Sequence, residues 1–351
     1  MPYPKTSDRL LKEAMDAVDK HGSISGAARA LGMNRSTFEG RYRNAVTRFE
    51  AGLLIPEPEE EPSNLELPTF PDDDIEANEI LDHLSKRFEM KSAAEASKHW
   101  FEVNIKTDDP FGLAVVGDPH LGSDTNIPLL RRDVDILANT KGIGAVNIGD
   151  TANNWGGRLI HLYSQDDVSK PTERRLARWF LQDAGVPWIL WLHGNHESMH
   201  TEFSTYLESV NTAQIPMIDW RARFKLVFPS SEIKVDAAHN HKGTSIYNPL
   251  QGQKRASLWD EDADIYVAGH HHTWALTQEE QPGGRVITMG RARGYKWLDD
   301  YARRGGFRQD SFGATILFVI DPKAGPNTKV KPFSDLGEGA EFLTWKRARS
   351  N

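Results

Sequence analysis

Apolar residues recur along this chain in two rhythms. Near the N-terminus, Leu10, Leu11, Ala14, Met15 and Val18 return at the spacing of a helix with one buried face. His21-Gly22-Ser23 breaks that helix, and Ser23 is placed to cap the next. From Ile24 to Phe38 a short helix with small residues meets Gly32, an apolar Met33 and a capping Asn34, which predicts two helices crossing closely through a tight turn. Phe38, Tyr42 and Val46 then fall on the inward side of the second helix. A helical pattern returns from Ile75 to about Trp100 through Ile80, Leu81, Leu84 and Phe88. Beyond about residue 105 the rhythm changes. Leu113–Val116, Ala145–Ile148, Trp188–Leu192, Ile233–Ala238, Asp264–Ala268 and residues 312–320 are short apolar runs that predict strands. Ile127–Asn139, Pro171–Asp183 and Glu202–Val210 predict helices between them. Short, nearly continuous apolar strands alternating with helices predict an α/β domain with buried sheets.

Composition divides the chain. Pro56, Pro58, Pro62, Pro68 and Pro71 interrupt a segment rich in Glu and Asp, and residues 49–85 contain no Lys or Arg. Such a segment cannot bury enough apolar surface to fold alone. The expected layout is a helical unit over 1–50, an acidic linker over 51–75, a connecting helix over 76–104 and a large domain over 105–351. The stretch from Asp321, mixed in Gly, Pro and Lys, reads as surface cover. There is no Cys among the 351 residues, which removes disulfides and thiolate ligands. Net charge is -8, against bulk-charge binding to nucleic acid, yet residues 1–50 hold nine Lys/Arg and six Asp/Glu, so about +3. No apolar run reaches the roughly 20 residues that span a bilayer, and no signal-peptide core follows Met1. A cytoplasmic location without membrane association is expected, in a bacterial host if the gene is a phage one.

The polar residues that end the strands carry the candidate chemistry. They are Asp118 and His120, Asp150, Asn195 with His196 and Glu197, His239 with His241, and His270 with His272. Residues two apart in an extended segment point the same way. Oxygen and imidazole donors without thiolate suit Mn²⁺, Fe, Zn²⁺ or Mg²⁺. The set exceeds what one ion needs and matches two ions sharing a carboxylate, an arrangement suited to attack on a phosphoryl group. His193 and His271 read as packed or surface residues.

Asp118-x-His120, Gly149-Asp150-x-x-Asn153-Asn154, Gly194-Asn195-His196-Glu197, His239 and Gly269-His270-x-His272, in that order, resemble the calcineurin-like metallophosphoesterases over residues 110–320. The resemblance implies a two-sheet β-sandwich flanked by helices, with a dinuclear site at the strand ends. By position, Asp118, His120 and His272 hold one metal, and Asn195, His239 and His270 the other. Asp150 bridges both beside a nucleophilic hydroxide, and His196 protonates the leaving oxygen without being a ligand. Mn²⁺ is the first expectation for both ions. His241 remains the alternative to His239. Asn153, Asn154 and Arg158 lie on the loop that lines the substrate groove in relatives.

The stretch 24–48 resembles the helix-turn-helix of bacterial and phage DNA-binding proteins. Arg35, Ser36, Thr37, Arg41 and Arg43 would face phosphates and base edges. Arg174, Arg175 and Arg178, and separately Arg291 to Trp297 with Tyr301, Arg303 and Arg304, are further basic stretches, each equally readable as a solvated face or ordinary packing. Thr151-Ala152-Asn153-Asn154 stands where protein phosphatases carry Asp-Arg-Gly, so the likeness is to SbcD-type DNA repair nucleases and phage relatives. A nuclease acting on DNA is therefore the leading expectation, with an SbcC-like or phage protein as a partner. The alternatives are a nucleotide or protein phosphatase with a regulatory helix-turn-helix, and a DNA-holding phage assembly factor.

Overall fold

The computed structural model describes residues 7–53, 76–97, 100–198, 201–260, 262–296 and 313–350, without the side chains of 94–97, 157–159 and 165. Most of the acidic linker, and Trp297, Tyr301, Arg303 and Arg304, lie outside the described residues. The chain divides into two compact units, Met1–Leu81 and Asp82–Asn351.

In the first unit, α1 (Asp8–His21), α2 (Ile24–Ala30) and α3 (Arg35–Glu50) pack around Ala14, Ala17, Ala27, Ala28 and Phe38. The alanines let the helices approach, and one aromatic ring fills the space between them. Each helix start is capped by a side-chain oxygen. Ser7 accepts from the Leu10 N–H, Ser23 from Gly26 and Asn34 from Ser36. Gly32, at φ +67°, makes the turn between α2 and α3 in the left-handed region that glycine favours. Arg48 ties the end of α3 to Asp8 at 2.6 Å. The helix α4 (Ala77–Ser97) follows the linker.

The large unit is built on two six-stranded sheets. One has the order β12 (Val330–Phe333), β11 (Thr315–Ile320), β2 (Phe111–Val116), β3 (Ile143–Asn147), β4 (Trp188–His193), β5 (Met217–Asp219). The other runs β1 (Phe101–Asn104), β6 (Arg221–Val227), β7 (Glu232–Ala238), β8 (Ile265–Ala268), β10 (Val286–Arg291), β9 (Ala275–Glu280). Alternation decides which core each residue joins. Leu113 and Val115 of β2 meet Phe224, Leu226, Val235 and Val267 between the sheets. Ala114 and Val116 of the same strand face a second core built with the helices α5 (Ile127–Asn139), α6 (Lys170–Arg178) and, after the single turn α7 (Asn195–Ser198), α8 (Thr201–Val210). A third cluster lies under α9 (Gln251–Trp259) on the far face of the other sheet.

Two boundaries differ from the sequence reading. Phe101–Asn104 is not part of the connection but an edge strand, paired parallel with β6. The stretch after Asp321 is not surface cover. It supplies β12, antiparallel to β11, and α10 (Leu336–Arg347), whose Leu336 and Leu343 are buried in the helix-side core.

Candidate metal centre

β2, β3 and β4 run parallel, as do β7 and β8 in the facing sheet, so their carboxyl ends can deliver loops to one place. They do. Three groups of side chains have ligand atoms within 4.8 Å of one another: Asp118 with His120 and His272; His120 with Asp150 and His196; Asp150 with His239 and His270. Asn195 joins through its Oδ1, 3.0 Å from His239 Nε2. His120 Nε2 lies 3.1 Å from His272 Nε2, and His239 Nε2 lies 3.0 Å from His270 Nδ1. Asp150 Oδ2 is 3.7 Å from His120 Nε2 and 3.3 Å from His239 Nε2, which sets its carboxylate between the two halves.

Outer partners fix the imidazoles. His239 Nδ1 faces the Ile148 carbonyl at 3.0 Å, so the proton there leaves Nε2 directed inward. His120 Nδ1 faces Asn153 Oδ1 at 3.2 Å in the same sense. His196 donates from Nδ1 to the Asn153 carbonyl, which aims Nε2 at Asp150 Oδ2 at 3.9 Å. Glu197, fully buried, accepts from the backbone N–H of Asp150 (3.0 Å), Thr151 (2.7 Å) and Gly194 (2.8 Å), and so binds the β3 and β4 loops together. Arg291 pins the β8 loop by donating to the Gly269 carbonyl at 2.5 Å.

The backbone is bent hard to bring these groups together. His120, Asp150, His270 and His272 sit at φ 44°, 51°, 71° and 49°. Such positions cost a non-glycine residue on the order of 1–3 kcal/mol each and persist only where the surroundings impose them. Gly194 is required for contact: a Cβ there would stand 2.2 Å from Asp150 Oδ1.

Electrostatics fit a cation site. Burial pushes Asp118 up to about 8, with the charge of Asp150 adding and that of His239 opposing. Its Oδ1 is buried without a hydrogen-bond partner. Burial also lowers His270 and His272 to about 4, which keeps each ring neutral with one nitrogen able to ligate. At His239 burial lowers the value, but the charge of Asp150, its hydrogen bond and the charge of Asp118 prevail and raise it to about 10. Carboxylates crowded out of water here draw positive charge to themselves.

Sequence comparison adds no assignment: no protein-family model and no curated protein matches the chain. Among solved structures, similarity is found to a 5'-nucleotidase precursor from Thermus thermophilus, with TM-score 0.37, 10% identity and 69% of this chain covered. It is also found to the NAD nucleotidase of Haemophilus influenzae, with TM-score 0.35, 11% identity and 67% covered, and to GAP50, the anchor in the inner membrane complex of Plasmodium, with TM-score 0.34, 9% identity and 68% covered. The chain spans 59% and 55% of the two nucleotidases and 95% of GAP50.

Asn153 and Asn154, expected along a substrate groove, are both buried and engaged. Asn153 Oδ1 receives Lys296 as well as facing His120, and its Nδ2 donates to Asp166 at 3.1 Å. Asn154 Nδ2 donates to the His196 carbonyl at 2.7 Å. The side chain of Arg158 lies outside the described residues. His241 faces away from the cluster and pairs with Asp236 at 3.1 Å, whereas His239 stands within it. Arg291 and Tyr295 are buried and so offer no surface for stacking bases. Arg174 lies 3.6 Å from Glu202, and Arg175 donates to Thr172. On α3, Arg35, Ser36, Thr37 and Arg43 are exposed and Arg41 is half-buried, with Arg43 paired to Glu39 at 2.7 Å.

Sequence reasoning placed Lys296 only in a basic stretch and missed its place at the centre, where its ammonium lies 4.4 Å over the Trp155 ring beside the histidines. Arg291, in the same stretch, was likewise not read as holding the β8 loop. Both stand where chain returns from the second sheet, so only the fold brings them to the loops.

Proposed function

We propose that the large unit is a calcineurin-like metallophosphoesterase, dependent on two divalent ions, Mn²⁺ foremost, and that it cleaves phosphodiester bonds in DNA. The observation that carries the phosphoesterase reading is the convergence of Asp118, His120, Asp150, Asn195, His239, His270 and His272 at the strand ends of two sheets. Asp118, His120 and His272 would hold one ion; Asn195, His239 and His270 the other; Asp150 both. Bound there, the ions would offset phosphate charge and lower the pKa of a water. His196 would deliver a proton from Nε2 to the leaving oxygen, with the Asn153 carbonyl on its Nδ1 orienting the ring. Lys296 adds a cation beside the phosphate position. Support for DNA comes from the local positive charge of residues 1–50 and the exposed Arg35, Ser36, Thr37 and Arg43 of a helix that follows a glycine turn.

The test is hydrolysis with Mn²⁺ of single-stranded DNA, duplex DNA and a small chromogenic phosphodiester, with metal content measured on the same samples. His196→Ala should retain both ions and lose about 10²–10⁴-fold in turnover. Loss of metal together with activity would make His196 a ligand. A chain beginning at Glu76 should lose DNA cleavage and keep small-ester cleavage. Turnover of nucleotides or the small ester alone, unchanged by the truncation, would transfer the chain to the nucleotide phosphatases. DNA retention without turnover would make it an assembly factor.

A further inference from the structure

The chain passes from one sheet to the other through a single residue, Trp220, between β5 and β6. Its φ is +61°, a left-handed position that glycine adopts freely and a bulky side chain only under strain. A glycine would serve the crossing, yet the chain sets an indole there.

The polar groups of Trp220 hold that indole in place. The backbone N–H donates to the His193 carbonyl at 3.1 Å, and the carbonyl accepts from the His239 N–H at 2.7 Å. The indole N–H donates to the Asn240 carbonyl at 3.0 Å. The ring is therefore fixed from both ends. Its centroid lies 5.2 Å from the His239 ring and 6.2 Å from the His270 ring, at 75° and 57° to their planes. Even so, Trp220 is 38% exposed. Trp155, on the His196 side of the centre, differs: it is buried, and the Lys296 ammonium lies over its ring.

A broad apolar ring, rigidly held and left in water beside a phosphate-binding centre, suits a flat aromatic group carried by the phosphoester. Rigidity lowers the ordering cost of such a contact. An aliphatic phosphoester would leave the ring in water, whereas every nucleobase has a π face to lay on it. We propose that Trp220 is a stacking platform for a nucleobase of the substrate, beside the half of the centre formed by Asn195, His239 and His270. The proposal rests on the phosphoesterase reading and narrows it to nucleotidic substrates.

The test compares two esters with one leaving group, thymidine 5'-(p-nitrophenyl phosphate) and its abasic deoxyribose analogue, each offered to the full chain with Mn²⁺. Removing an aromatic platform costs about 5–150-fold per stacked base. Trp220→Ala should raise KM for the thymidine ester by that factor with kcat little changed, and should leave the abasic ester within about twofold. Trp220→Phe should recover most of the loss. Equal losses on both esters, or loss of metal content, would make Trp220 a support for His239 and overturn the proposal. An unchanged KM would overturn it too. If the native chain hydrolyses neither ester, the phosphoesterase reading fails, and binding decides the platform by itself. Thymidine 5'-monophosphate should then quench the emission of the native chain more than that of Trp220→Phe, whose remaining tryptophans supply the background. Equal quenching overturns the proposal. Competition against the thymidine ester identifies the source of the base: a thymidylate oligomer that competes more tightly than the monophosphate means a DNA strand, and the reverse means a free nucleotide. Either competitor should weaken in Trp220→Ala, and one that does not overturns the platform.

Discussion

Glu197 and Glu173 are buried carboxylates that organise the centre without belonging to its ligand set. Glu197 receives three backbone N–H groups from two loops. A glutamine there keeps one acceptor oxygen and turns an amide donor toward an N–H donor. Glu197→Gln should lose about 2–4 kcal/mol of stability, and metal affinity should fall about 10–100-fold as Asp150 moves. Urea unfolding and metal titration measure both, and a variant normal in both would show that the loops hold themselves. Glu173 is raised by burial to about 7 from an ordinary 4.5, although Tyr163 and the Asn154 N–H each donate to it. The unfolded carboxyl releases its proton near 4.5 and the folded one only near 7, so the native chain binds more protons across that window. Stability from this group therefore falls as pH rises through it, by up to about 3 kcal/mol. Glu173→Gln should abolish that fall, so urea midpoints of variant and parent should diverge between pH 4.5 and 7. Parallel curves would mean that Glu173 titrates as a solvated carboxyl.

Among elements, those buried on both faces were the most legible. Leu113–Val116, Ala145–Ile148 and Trp188–Leu192 are apolar throughout because one face meets the opposite sheet and the other meets helices. Their polar ends were legible for the same reason: Asp, Asn and His directly after such runs need partners, from the protein or from something bound, if they are buried. β6 was harder to read. Arg221, Arg223 and Lys225 alternate with inward Ala222, Phe224 and Leu226, and the cations pair with Asp236, Asp260 and Glu232 instead of marking a loop. α10 was hidden in a stretch read as surface cover for its mixture of Gly, Pro and Lys, and it holds Gly337 and Gly339. At Gly339 a Cβ would come within 2.8 Å of Leu317, so the glycine lets the helix lie close on β11. That contact gives the C-terminal segment a measurable share of stability. Leu343→Ala should cost about 2–5 kcal/mol in urea unfolding, whereas a surface segment would lose almost nothing.

At the scale of the whole molecule, the two compact units, Met1–Leu81 and Asp82–Asn351, should unfold separately. Calorimetry should resolve two transitions. Mn²⁺ should raise only the one belonging to residues 82–351, by the linkage RT ln(1 + [L]/Kd), or about 2.7 kcal/mol at a hundredfold excess over Kd. Chelator should reverse that shift. A shift in both transitions would place metal-dependent contacts between the units. The contrast between the -8 of the chain and the local +3 of residues 1–50 belongs to this scale too, since it confines any attraction to phosphate backbones to one end.

The ligand residues all stand beyond the ends of strands, and the strands themselves contribute only shape. Aliphatic interiors accept many substitutions provided volume and alternation are kept. Substitution could therefore rewrite nearly every strand of this chain while the loops still bring the same side chains together. Two chains that share this placement of polar loops at strand ends need share little along the strands between them.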